Sequence, residues 1–109
     1  MTVATIDRND YGFKLRIKGH TGYRSYGEDM VCAAISGIFY AYGGYLAAFR
    51  DDKVVIHALE SGFVDIDCSV ECEELLRAVC FGLLLIEKAY PENLKVYSVF
   101  WEQFRSYFK

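Results

Sequence analysis

The stretch that most restricts what this chain can become is Val31 to Phe49, nineteen residues without an Asp, Glu, Lys or Arg. An uncharged run of about 18 or more is long enough to raise the question of a membrane span. Its content argues otherwise. Ser36, three glycines (Gly37, Gly43, Gly44) and three tyrosines (Tyr40, Tyr42, Tyr45) make it less apolar than a Leu-rich span, and acidic residues stand beyond both ends. Val31, Ile35, Ile38, Phe39, Tyr42, Leu46 and Phe49 recur at the helical period, so the run is expected to be a helix buried in protein. A helix that is apolar on nearly every face has to be covered all round. A chain of 109 residues has little spare material for its outer side, so a second copy of the chain is the expected cover.

The flanking sequence switches to the period of strands. Phe13, Leu15 and Ile17 alternate with Lys14, Arg16 and Lys18, giving a strand with one dry and one wet face. Thr2 to Asp7 is its expected hairpin partner across the Arg8 to Gly12 turn. Asp29 reads as the N-cap of the long helix, with Asp51-Asp52 closing it, and a bend is expected at Gly43-Gly44. Val54 to Leu59 and Phe63 to Asp67 read as two more strands. Ser69 opens a second helix that stops before Pro91, with Cys72, Leu76, Val79, Leu83, Ile86 and Tyr90 as its apolar stripe. Lys95 to Phe100 is the last strand, and Trp101, Phe104 and Phe108 form a short amphipathic turn that either covers the core or lines a partner surface. The expected fold is thus a single α+β domain over residues 1–109, in two layers: a mixed, mostly antiparallel five-strand sheet and two main helices, in the order ββαββαβ.

The totals narrow the function classes. A net charge of −3 does not suit phosphate neutralisation, which needs clustered Lys and Arg, so no nucleic-acid partner is expected. The start MTVATIDRND lacks the basic, apolar, small-residue order of a secretory signal, which points to a cytoplasmic protein whose four cysteines stay reduced.

Between the second strand and the long helix lies GHTGYRSYG, with glycines at 19, 22 and 27 that suit a flexible loop. His20 follows the parity of Lys14, Arg16 and Lys18. If the strand persists to Gly19, the imidazole lies on the polar side. With Asp29 as N-cap, Cys32 becomes the third helical residue, where unpaired amides and the helix dipole favour thiolate over thiol, while Glu28 and Asp29 oppose it. A connection of eleven residues closed by glycines can return the helix start to the strand end. The other reading of Cys32 is a small buried hydrophobe, since free cysteine is among the most buried residue types. Cys80 reads as packing. Cys72 is surrounded by Glu71, Glu73 and Glu74, so its thiol should be the less acidic. Cys68, Cys72 and His57 match zinc-ligand spacing poorly, no metal is expected, and His57 reads as a satisfied core or sheet histidine.

The string from Gly19 to Ser36, GHTGYRSYGEDMVCAAIS, resembles the signature of the ribosomal-processing cysteine protease family (Prp): Gly-His, a glycine-containing loop, Gly-x-Asp, two apolar residues and Cys-Ala-Ala-x-Ser. Chain length and element order are similar as well. The resemblance implies a homodimeric endopeptidase, without cofactor, that removes a short N-terminal extension from a large-subunit ribosomal protein during ribosome maturation. On it, Cys32 would be the nucleophile and His20 the general base. Asp29 and Ser36 would support the site, and Gly19, Thr21, Gly22, Tyr23, Arg24, Tyr26 and Gly27 would form a substrate-binding loop. Thr21 stands where the family often has alanine. Two rival classes are a non-catalytic dimeric protein-binding module, with Cys32 merely buried, and thiol redox chemistry, which would need a resolving cysteine.

Overall fold

Alternation along the second strand builds the floor of the domain. Phe13, Leu15 and Ile17 are buried, while Lys14, Arg16 and Lys18 face the other way. The computed structural model describes residues 1–19 and 26–108, with the backbone alone for 26–29. Five strands form one sheet: β1 (Thr2–Arg8), β2 (Gly12–Lys18), β3 (Val54–Glu60), β4 (Phe63–Ser69) and β5 (Leu94–Ser98). Their order is β3-β4-β2-β1-β5, antiparallel throughout except for β1 beside β5. The mixed, mostly antiparallel sheet expected from the sequence is what forms, with the element order ββαββαβ.

Two helices cover one face. The first, α1 (Tyr26–Phe49), is continuous through Gly43-Gly44. It buries Val31, Ile35, Phe39, Tyr42 and Leu46 against the sheet. Gly43 permits that approach, because a Cβ there would stand 2.9 Å from Leu59 Cδ1 and 3.1 Å from Ile66 Cδ1. The second, α2 (Glu73–Ala89), follows a 3-10 turn (Val70–Cys72) that Ser69 caps by accepting from the Glu71 N–H at 3.2 Å. Leu76, Cys80, Leu83 and Leu84 are its buried side chains. Of the expected stripe, Cys72, Leu76 and Leu83 are buried, Val79 and Ile86 are partly buried against the core, and Tyr90, beyond the last residue of the helix, is exposed.

Two expectations for the first helix need correction. It begins at Tyr26, so Asp29 is its fourth residue and no N-cap. Acidic residues suit the first turn of a helix as well as its cap, and the sequence alone did not separate the two. Phe49, assigned to the buried face, is 66% exposed as the last residue of the helix. Within one chain α1 is covered on its sheet side only, and its outer side, where a second copy of the chain is the expected cover, is open. By length and composition Met30–Phe49 could cross a membrane, and 39% of it is buried here, its sheet-facing side. Tyr40, Tyr45 and the alanines on the outer side stay exposed.

The sheet's other face is open and charged. Lys14 reaches Asp65 at 2.5 Å and Asp67 at 3.3 Å, Arg16 reaches Asp65 at 3.3 Å, and His57 bonds Asp67 at 2.8 Å. Beyond β5 the tail forms a short helix α3 (Trp101–Phe104) and a 3-10 turn (Arg105–Phe108). Phe104 and Phe108 stack around Phe81, and the Arg77 guanidinium lies over both Phe100 and Phe104. The tail covers the core, the first of its two expected roles.

Candidate active site

Cys32 is the seventh residue of α1, not the third. The unpaired amides of a helix belong to its first residues, and the dipole's influence fades within the first turn. The helix end therefore contributes less at Cys32 than its expected place implied.

Around that sulfur the chain makes a narrow crevice. Cys32 is half-buried and shares the crevice with Thr2, Ile17, Gly19, Ile35, Ser36, Phe39, Ser61 and Gly62. Its volume is about 10 Å³, room for about a single water. Ile17, Ile35 and Phe39 give it an apolar floor. Ser36 lies one turn beyond Cys32 on the same side of α1, the relation that the i, i+4 spacing imposes.

Gly19 forms the wall opposite the helix and is tightly held. Its N–H donates to the Gly62 carbonyl at 3.1 Å, and its own carbonyl accepts from Thr2 Oγ1 at 3.0 Å. Its φ of +109° lies in the region that L side chains rarely adopt. A Cβ there would fall 2.5 Å from the Met1 carbonyl oxygen. Strand β2 ends at Lys18, so the inward-outward alternation stops one residue short of Gly19. The premise that carried His20 onto the polar face, a strand persisting to Gly19, does not hold.

Of the residues expected at the site, the structure brings Cys32, Ser36 and Gly19 to one crevice. His20, Thr21, Gly22, Tyr23 and Arg24 lie outside the described residues. Tyr26, Gly27 and Asp29 fall in the first turn of α1, where the backbone alone is described. Thr2, Ser61 and Gly62 were not anticipated. Only the positive-φ requirement of a glycine after a strand hinted at a clamp, and its partners are remote in sequence.

The remaining thiols are sealed. Cys68, Cys72 and Cys80 are buried, and burial pushes all three thiols up from their ordinary value. Tyr42 donates its hydroxyl to Cys68 Sγ at 2.9 Å, and Cys80 Sγ donates to Ser98 Oγ at 3.1 Å. None is an exposed resolving partner for Cys32. His57 sits on the open face of β3 while Cys68 and Cys72 point into the core, so these three cannot share an ion. His57, Asp65 and Asp67 do bring ligand atoms within 4.8 Å of one another, but the Lys14 ammonium already stands against both carboxylates.

A larger groove, about 420 Å³, runs between α1 and α2 on the outer side, lined by residues that include Ile38, Ala41, Tyr45, Leu75 and Val79. It is almost wholly apolar and carries neither nucleophile nor base. It is separate from the crevice at Cys32.

The model of the family described as cysteine protease Prp matches residues 1–95. No curated protein matches the chain. Among solved structures, the essential ribosomal processing protease Prp from S. aureus, in complex with a substrate peptide, is similar with a TM-score of 0.75 and 23% identity over 90% of this chain and 99% of that one. The same S. aureus protease with a covalently linked product peptide gives 0.73 and 24% over the same shares. A Streptococcus mutans structure, SMU.848, gives 0.71 and 22% over 90% of this chain and 93% of that one.

Proposed function

The chain belongs to the cysteine protease Prp family, and from that premise we propose that it is an endopeptidase that removes the N-terminal extension of a large-subunit ribosomal protein during ribosome maturation. The observation that carries this reading is the contrast among the four thiols: Cys32 alone reaches a surface crevice, and that crevice is walled by the residue preceding His20.

The chemistry then follows from general principles. With the helix end too distant to suffice, His20 takes the proton from Cys32, and the thiolate attacks the scissile carbonyl carbon. A carbon–sulfur bond forms and the carbonyl electrons move onto oxygen. As the carbon–nitrogen bond breaks, the His20 imidazolium gives its proton to the leaving amine. Water, deprotonated by His20, hydrolyses the thioester and returns the free thiol. Ser36 supports the sulfur from the next turn, and Asp29 helps to fix the first turn of α1. The loop residues Gly19, Thr21, Gly22, Tyr23, Arg24, Tyr26 and Gly27 receive the peptide.

The same reading makes the protein a cytoplasmic homodimer. Four unpaired cysteines suit a reducing compartment. The apolar groove between α1 and α2, flanked by exposed Tyr40, Tyr45 and Leu75, suits a second copy. The deciding experiment is cleavage of the N-terminally extended ribosomal protein by wild type, Cys32→Ala and His20→Ala. Product from wild type alone is expected, and equal product from all three would remove the reading.

A further inference from the structure

Thr2 is a polar residue at the start of a strand, yet only 4% of it is exposed. Its backbone N–H donates to the Asn93 carbonyl at 3.0 Å, which fixes it to the chain just before β5. Its hydroxyl does not turn to solvent. Oγ1 donates across seventeen residues of sequence to the Gly19 carbonyl at 3.0 Å. On the other side, the Gly19 N–H is taken by Gly62 in the β3–β4 turn. Both polar groups of one glycine are therefore held, by residues from two separate hairpins, and all three residues line the crevice that contains Cys32.

That arrangement matters because of which peptide the hydroxyl grips. The Gly19 carbonyl belongs to the peptide unit that joins Gly19 to His20, and such a unit is planar. Its oxygen is thus a handle on the whole plane. Glycine at φ +109° has no side chain to lock it, so the two hydrogen bonds supply the definition that a Cβ would otherwise give. A general base is useful only when its approach to the thiol is set to within a fraction of an ångström.

We propose that Thr2 is a positioning residue for the cysteine–histidine chemistry: its hydroxyl, by holding the Gly19 carbonyl, sets the direction in which the chain leaves β2 toward His20. This rests on the protease reading above. It adds a residue seventeen positions before Gly19, the first residue of the signature string. Gly62 is the second arm of the same clamp, acting through its backbone.

The test compares wild type, Thr2→Val and Thr2→Ser. Valine keeps the shape and removes the hydroxyl, and serine keeps the hydroxyl and loses a methyl. Cleavage of the extended ribosomal precursor is measured at a temperature where circular dichroism shows every variant folded. Thr2→Val is expected to lower kcat by about 10- to 100-fold with KM changed less than about threefold, as for a reacting group displaced by up to about an ångström. Thr2→Ser should return to within about threefold of wild type. A wild-type kcat in Thr2→Val overturns the proposal, and so does a Thr2→Ser as impaired as Thr2→Val, which would mean packing rather than the hydrogen bond. If wild type cleaves nothing, the protease reading has failed, and the rate of Cys32 alkylation by iodoacetamide against pH decides for the clamp. A profile displaced in Thr2→Val and restored in Thr2→Ser supports it. Coincident profiles in wild type and Thr2→Val sink it.

Discussion

Gly19 and Gly62 are joined backbone to backbone, the N–H of the first donating to the carbonyl of the second at 3.1 Å. Through that bond the β3–β4 turn reaches the far end of β2, beyond the last pair of the β2–β4 ladder, Lys18 with Phe63. It closes one wall of the crevice at Cys32.

Gly19→Ala tests how much that wall depends on backbone freedom. The substitution must hold an L residue at φ +109° and put a Cβ 2.5 Å from the Met1 carbonyl oxygen. A loss of about 1–3 kcal/mol of stability is expected, read by chemical denaturation. Cleavage should fall further than stability, since the residue borders His20.

Thiol accessibility gives a second expectation. In folded protein at neutral pH, iodoacetamide should label Cys32 first, with Cys68, Cys72 and Cys80 protected until denaturant is added, because these three are buried. Peptide mass mapping reads the order. Labelling of Cys32 no faster than Cys80 would deny an activated thiol.

The open sheet face predicts an acid limb of stability. Burial alone would raise the Asp67 carboxyl, but hydrogen bonds from His57, Lys14 and Asn9 outweigh it and hold the group below its ordinary value. A depressed carboxylate contributes stability that is present above the unfolded value, about 3.9, and lost as pH falls through the folded one. Melting temperature should therefore drop below about pH 4. Asp67→Asn should lower it at neutral pH and flatten the acid limb.

Truncating the aromatic tail at its anchor should cost much more than an exposed end would suggest. Phe104 is 8% exposed, stacks on Phe81 and lies under the Arg77 guanidinium. Phe104→Ala is expected to cost about 3 kcal/mol, near the low end for large-to-small changes, measured by denaturant titration.

The outer face of α1 carries the assembly prediction. Tyr45 lines the apolar groove and is 47% exposed in a single chain. Tyr45→Arg should convert a dimer into a monomer in light scattering, leaving the far-ultraviolet circular dichroism unchanged. A wild type that is monomeric at all concentrations would refute the homodimer.

Much of this was legible from residue patterns, and the exceptions have identifiable causes. Alternation in Phe13 to Lys18 announced β2, and the three- and four-residue spacing of Val31, Ile35, Phe39, Tyr42 and Leu46 announced α1, because both are set by burial on one side. The start of α1 was misjudged, since Asp29 suits a first turn as well as a cap. Strand order was not legible, because pairing between remote segments leaves no local mark. Cys32 was singled out by its place near the start of the long helix, and Ser36 by the resemblance of the Gly19 to Ser36 string to the Prp signature. Thr2 and Gly62 escaped notice, because what makes them part of the site is a hydrogen bond to a residue far away in the chain.

The parallel pairing of β1 with β5, begun by Thr2 against Leu94, joins the first strand of the sheet to the last. Contacts of such long sequence separation form late. A nascent chain emerging in order must wait for residue 93 before Thr2 receives its backbone partner. Until then β1 is held by its hairpin partner β2 alone, and one edge of β1 stays unpaired until β5 has been made.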